Sequence, residues 1–218
     1  MNGLHVAILG ATGMVGQELL DLLVEREFPM KNLTLLSSAR SAGSRVLVGG
    51  KEYAVKQATP EAFQGVDVAF FAAGGQVSQD WVTPAVEAGA LVIDNTSAFR
   101  LRDDVPLVIP EVNPEEILNH KGIISNPNCS TIIMAIVLKP ILDQAGIKRV
   151  VVSTYQAVSG AGGRGMDELR RQTEDYVAGR ELEASILPVA SAPKHYPIAF
   201  NVIPQIDVFD EDGYTKEE

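Results

Sequence analysis

Cys129 is the only cysteine of the 218 residues, and it stands in Ser125-Asn126-Pro127-Asn128-Cys129-Ser130-Thr131, where a polar turn gives way to an apolar, helix-like stretch. The N-terminus of a helix carries unpaired backbone N–H groups and partial positive charge. Such a position favours a thiolate over a thiol and places donors where an oxyanion would form. The alternative for a lone cysteine is a small apolar packing role with no chemistry. Near the start of the chain, Gly10-Ala11-Thr12-Gly13-Met14-Val15-Gly16 has the spacing G-x-x-G-x-x-G. Residues without a Cβ allow a tight turn and the close approach of a pyrophosphate seated on the next helix. The alternative is three structural turn glycines, and the position of the run behind a short apolar segment favours the nucleotide.

Those residues need particular elements to hold them. Residues 4–9 form an apolar run of the kind buried on both faces of a sheet, and a helical pattern follows over 17–26. Further strands are predicted over 33–38, 66–73 and 91–94, with a helix over 78–88 that Gly89 stops. Strands alternating with helices imply a doubly wound, mostly parallel α/β sheet of the dinucleotide-binding kind. The second strand ends in Ser37-Ser38-Ala39-Arg40-Ser41, with no acidic residue to bind a ribose 2′-hydroxyl. That favours NADP over NAD, with a solvated loop arginine as the alternative reading of Arg40.

After Cys129 the pattern changes to a helix over 130–145, which Pro140 should kink or end, and then a long strand over 150–158. A glycine-rich loop follows, then a helix over 166–177 with Leu169, Thr173, Tyr176 and Val177 on one face. This reads as the start of a second, α+β catalytic or dimerisation domain with its own sheet, giving boundaries at 1–128 and 129–218.

Composition narrows the function classes. A formal charge of −10 argues against a nucleic-acid partner, which would need clustered Lys and Arg. The longest apolar stretch near the cysteine covers 132–138, well under the roughly 20 residues of a bilayer span. With no signal-peptide pattern and a single thiol, a cytoplasmic location is expected, and no metal is assigned.

With a nucleotide fold, Arg40 in place of an acid, and Asn128-Cys129-Ser130-Thr131 at the domain junction, the chain resembles aspartate-semialdehyde dehydrogenase. Other matching stretches are Asp94-Asn95-Thr96-Ser97-Ala98-Phe99-Arg100 and Tyr155-Gln156-Ala157-Val158-Ser159-Gly160-Ala161-Gly162. The resemblance implies NADPH-dependent, reversible reductive dephosphorylation of aspartyl phosphate to aspartate semialdehyde, on the route to lysine, threonine and methionine. It makes Cys129 the thioester nucleophile, with Gln156 beside the substrate and Arg100 and Asn128 at the phosphate. Gly10, Thr12, Gly13, Met14, Val15, Arg40, Ser41, Ser159 and Gly160 would line the NADP site. It also implies inorganic phosphate as co-substrate and a homodimer or homotetramer. The alternative for Arg100 is a surface partner for Asp103 or Asp104, and for Gln156 a loop cap.

The family is roughly half as long again and carries beyond this length an acid/base histidine and an arginine for the substrate carboxylate. The 218 residues alone are therefore expected to lack full competence. His5, His120 and His195 read as structural or solvated, and Glu217 as the start of a further substrate-site stretch. The alternatives are an N-acetyl-glutamyl-phosphate reductase type of enzyme and a catalytically silent nucleotide-binding module.

Overall fold

The computed structural model describes residues 3–211 and 213–215, so Glu217 lies outside the described residues. Contacts divide the chain into two compact units, Met1–Val151 and Val152–Glu218.

The first unit is built on seven strands: β1 (Leu4–Leu9), β2 (Met30–Ser37), β3 (Arg45–Val48), β4 (Lys51–Gln57), β5 (Val68–Phe71), β6 (Leu91–Asp94) and β7 (Ile123–Ser125). Their order across the sheet is β3-β4-β2-β1-β5-β6-β7, and every pairing except β3 with β4 is parallel. The helices of this unit are α1 (Met14–Glu25), α2 (Gly75–Glu87) and α3 (Cys129–Ala145). This is the doubly wound, mostly parallel sheet read from the sequence.

Alternation along β1 explains its apolar run. Val6 and Ile8 pack with Leu20 and Leu23 of α1 and with Val46, Val48 and Val55 on one face. Ala7 and Leu9 point to the other, where Phe63, Phe71 and the α2 residues Val82 and Ala85 close the core. With both faces covered, no position of the central strand can be polar without cost. Because β1 pairs with β2 on one side and β5 on the other, the chain reverses its winding there. The strand carboxyl ends at that switch form the crevice where such sheets bind ligands.

Helix α1 begins at Met14, earlier than the periodicity predicted, so the third glycine of the fingerprint is a helical residue. A Cβ at position 16 would lie 2.3 Å from the Gly10 carbonyl oxygen. Gly10 has φ of +95°, and a Cβ there would lie 2.8 Å from the Ala72 carbonyl. The glycine rhythm thus serves packing between β1, α1 and the end of β5. The antiparallel β3–β4 hairpin was not anticipated, although Gly49 and Gly50, with φ of +55° and +82°, punctuate alternating Val46, Leu47 and Val48.

Four expectations are corrected. Pro140 does not end α3, which continues to Ala145. Its fixed φ suits a helix, and what it removes is one backbone N–H donor. The predicted strand at 150–158 carries no strand assignment over 150–157, and its end falls in the 3-10 turn Val158–Ala161. Pairing makes a strand, and this segment has no partner among the described residues. Nor do the described residues of the second unit hold a sheet, only the isolated bridge between Phe209 and Thr215. Finally, α4 (Gly162–Val177) buries Gly165, Glu168 and Gln172, while Tyr176 and Val177 on the predicted face stay exposed. Gln172 accepts from the Ile198 and Ala199 N–H groups at 2.7 and 3.0 Å and donates to the Glu183 carbonyl at 2.7 Å. Loop backbone that needs partners draws the polar face of α4 inward.

Among the described residues no helix is long and apolar enough to cross a membrane. The clash at position 16 gives a stability test. Gly16→Ala should lower the urea-unfolding free energy by roughly 1–3 kcal/mol, as overpacking does. An unchanged midpoint would mean that α1 can move away from Gly10 freely.

Candidate active site

Asp94 ends β6 and is fully buried. Its Oδ1 accepts from the Ser78 hydroxyl at 2.8 Å and the Thr96 N–H at 3.2 Å, and its Oδ2 from the Thr96 hydroxyl at 3.0 Å. These bonds bind the first turns of α2 to the end of β6 and fold the chain sharply after the strand. Asn95 and Asn126, at the ends of β6 and β7, join through an Nδ2 to Oδ1 bond of 2.7 Å, and the Asn126 N–H donates to the Asp94 carbonyl at 3.2 Å. Arg100 completes the corner, donating from Nε to the Asn126 carbonyl at 2.9 Å and from Nη2 to the Asn95 carbonyl at 3.2 Å.

Three residues beyond Asn126, Cys129 is the exposed first residue of α3. Asn128 is the N-cap, its Oδ1 accepting from the Thr131 N–H at 2.8 Å, and the first turn carries no acidic side chain. The expected nucleophile therefore sits at the positive end of a 17-residue helix. The structure gathers Arg100, Asn128 and Cys129 at the carboxyl ends of β6 and β7. The sequence reading did not assign Asp94, Asn95, Ser78 or Asn126 to the site. Asp94 directly after an apolar strand was the available signal, since a carboxylate there must find donors.

At the other end of the crevice, Gly10 and Thr12 lie in the turn after β1, Gly13 is the N-cap of α1, and Met14 and Val15 are its exposed first residues. Gly13 makes no side-chain cap bond, and no acidic residue stands in the first turn. A backbone cradle without Cβ atoms, at an uncapped helix N-terminus, suits a pyrophosphate. Thr12 and Ser41 share an open cleft of about 420 Å³ with Gln17, Ser44, Arg45 and Val46. Arg40 is exposed beside it and is not among the lining residues.

In the second unit, Gln156 is exposed and its Oε1 accepts from the Thr154 hydroxyl at 2.9 Å. Ser159 and Gly160 lie in the 3-10 turn ahead of α4. His5 bridges the Gly65 carbonyl and the Thr34 hydroxyl at 2.9 and 2.8 Å, the structural role expected of it. Among the described residues no group of His, Cys, Asp and Glu is arranged to hold a metal.

The doubly wound sheet with a glycine turn after its first strand is of the dinucleotide-binding kind, and it carries a thiol at the N-terminus of a further helix. Residues 5–120 match the family profile "Semialdehyde dehydrogenase, NAD binding domain", and 138–218 match "Semialdehyde dehydrogenase, dimerisation domain". The chain belongs to the semialdehyde dehydrogenase family, and its likeness there is to the aspartate-semialdehyde dehydrogenases. It is 56% identical over 217 residues to the aspartate-semialdehyde dehydrogenase of Bacillus subtilis, covering 100% of this chain and 63% of that protein. The crystal structure of aspartate semialdehyde dehydrogenase II from Vibrio cholerae matches with a TM-score of 0.92 at 50% identity, over 99% of this chain and 63% of that one. A second structure of that Vibrio protein, complexed with ASA, matches with a TM-score of 0.90 at 49% identity, over 100% and 63%. The chain thus spans somewhat under two thirds of the length of these relatives.

Asp104 is one of the two acidic residues weighed as a partner for Arg100. Asp104 is taken by Arg102, whose Nε and Nη2 donate to it at 2.8 and 2.7 Å. Those hydrogen bonds hold the Asp104 carboxyl below the usual aspartate range. A depressed carboxylate stabilises the fold above its unfolded pKa and loses that contribution as pH falls through the folded value. Arg102→Ala should therefore raise the Asp104 titration midpoint in an NMR pH series, while Arg100→Ala should not. The reverse pattern would show that Arg100 serves Asp104 after all.

Proposed function

We propose that this chain supplies the cofactor crevice and the reactive thiol of an NADP-dependent aspartate-semialdehyde dehydrogenase. The reaction is the reversible reductive dephosphorylation of 4-phospho-L-aspartate to L-aspartate 4-semialdehyde, in the synthesis of lysine, threonine and methionine. The observation that carries this reading is Cys129, exposed at the N-terminus of α3 and three residues from the carbonyl that Arg100 grips.

In the oxidative direction the Cys129 thiolate forms a C–S bond to the aldehyde carbon, and the oxygen becomes an anion facing the first N–H groups of α3. NADP, when bound, takes the hydride that this carbon loses on becoming a thioester. An oxygen of inorganic phosphate then bonds to the acyl carbon, the C–S bond breaks, and the electron pair returns to Cys129 as thiolate. Arg100, oriented through Nε and Nη2 by two backbone carbonyls, meets the phosphate with its guanidinium charge, Asn128 fixes the helix end beside it, and Gln156 orients substrate without competing for its proton.

Gly10, Thr12, Gly13, Met14 and Val15 hold the pyrophosphate region, Arg40 and Ser41 the adenosine end, and Ser159 and Gly160 the remainder of NADP. The boundary between cofactor-binding and catalytic parts falls at 128–129, and residues 129–218 provide subunit contacts in a cytoplasmic homodimer or homotetramer. The match of 138–218 to a dimerisation domain supports that assembly.

The test uses a protein that extends this chain to the length of its relatives. Cys129→Ser should reduce phosphate-dependent NADPH formation from aspartate semialdehyde by on the order of 10³ or more, as removal of a covalent nucleophile does. Retained activity, or a preference for the N-acetylglutamyl substrate, would overturn the assignment.

A further inference from the structure

Strands β6 and β7 are joined past their last backbone pair by side chains. The ladder between them closes at Asp94 with Ser125, and the Asn126 N–H adds a bond to the Asp94 carbonyl at 3.2 Å. Beyond it, Asn126 Nδ2 donates to Asn95 Oδ1 at 2.7 Å. The same nitrogen donates to the Pro127 carbonyl at 3.1 Å, so both of its hydrogens are used and the plane of the amide is fixed. Asn126 also precedes a proline, which favours an extended backbone at that residue. From the other side, the Asn95 N–H donates to the Phe71 carbonyl at the end of β5, at 2.9 Å.

This clasp matters because of what the two main chains carry. Arg100 donates from Nε to the Asn126 carbonyl at 2.9 Å and from Nη2 to the Asn95 carbonyl at 3.2 Å. Those two nitrogens form one edge of a rigid, planar guanidinium, and that edge is satisfied only by two acceptors at a set separation. Here the acceptors lie 31 residues apart in the chain. The amide bond between the two asparagines fixes how far apart their carbonyls stand.

We propose that Asn126 is a positioning residue of the reaction, its side-chain amide holding Asn95 so that the paired carbonyls aim the Arg100 guanidinium at phosphate. This inference rests on the phosphate role given to Arg100 in the proposed function and adds the residues that orient that arginine. A displacement of only about 1 Å in a positioning group is enough to cost a large factor in rate or affinity. Asn95 is exposed and Asn126 half-buried, so removing the bond should leave the fold intact.

The experiment is steady-state NADPH formation from aspartate semialdehyde at varied phosphate, using the protein extended to the length of its relatives. Its Asn126→Ala, Asn95→Ala, Arg100→Ala and doubly substituted Asn126→Ala, Arg100→Ala forms are compared with the parent. Asn126→Ala and Asn95→Ala should each raise KM for phosphate about ten-fold, leaving KM for the semialdehyde and the rate at saturating phosphate within about two-fold. In the Arg100→Ala background, Asn126→Ala should add nothing, because it acts through the arginine. An unchanged phosphate KM in either asparagine variant, beside a raised one in Arg100→Ala, overturns the positioning role while the phosphate reading stands. An equal effect of Asn126→Ala with and without Arg100 overturns it too, as does a parallel loss in every constant. If Arg100→Ala leaves the phosphate KM unchanged, the phosphate reading fails and takes this inference with it.

Discussion

A fully buried carboxylate organises the corner where β6 and β7 end. Asp94 takes three donors from Ser78 and Thr96, and its own carbonyl receives the Asn126 N–H. Without that carboxylate, two buried hydroxyls and a buried N–H would lose their partners, at a cost of about 1–3 kcal/mol each. The geometric consequence is larger than the energetic one. The turn that Asp94 closes sets Asn95 against Asn126, and those two residues supply the carbonyls that orient Arg100. The chain then passes through Pro127 to the Asn128 cap, so the position of Cys129 follows from the same corner.

The sheet makes this corner possible. In a parallel sheet all carboxyl ends lie on one edge, and the residues that follow β1, β5, β6 and β7 emerge together. The end of β1 is kept close to the end of β5 by Gly10, whose missing Cβ would meet the Ala72 carbonyl. The start of α1 is kept close to β1 by Gly16 in the same way. One edge thus carries the glycine turn after β1 and, three strands away after β7, a thiol on a second helix N-terminus. Both sites use the same physics of unpaired N–H groups at the start of a helix.

Much of this was legible in the sequence because the signals were local. The apolar run of β1, the glycine turn behind it and the polar turn leading into the helix that carries Cys129 are each contained within a few residues, and the structure has a strand, a turn and a helix N-terminus there. What escaped reading was set by partners distant in sequence. The run at 150–158 has strand composition but finds no pairing partner among the described residues. Leu169, Thr173, Tyr176 and Val177 mark a face of α4 by pattern, yet backbone groups of residues 183–199 select Gln172 for burial instead. The β3–β4 hairpin was visible in Gly49-Gly50 and its flanking alternation. Its contribution to the cleft, through Arg45, depends on where the loop of Ser41 and Ser44 is tied. The corner of Asp94, Asn95 and Asn126 likewise joins positions about 30 apart, beyond any periodicity.

The central claim is that the sulfur of Cys129 carries the acyl group between aldehyde and acyl phosphate. The most direct measurement is peptide mapping by mass spectrometry after mixing a full-length form of the protein with aspartate semialdehyde and NADP in the absence of phosphate. The account predicts an aspartyl thioester on the peptide containing Cys129, lost on addition of inorganic phosphate with release of aspartyl phosphate. NADPH formation with no acyl group on that peptide, or an acyl group on another residue that phosphate releases, would contradict it.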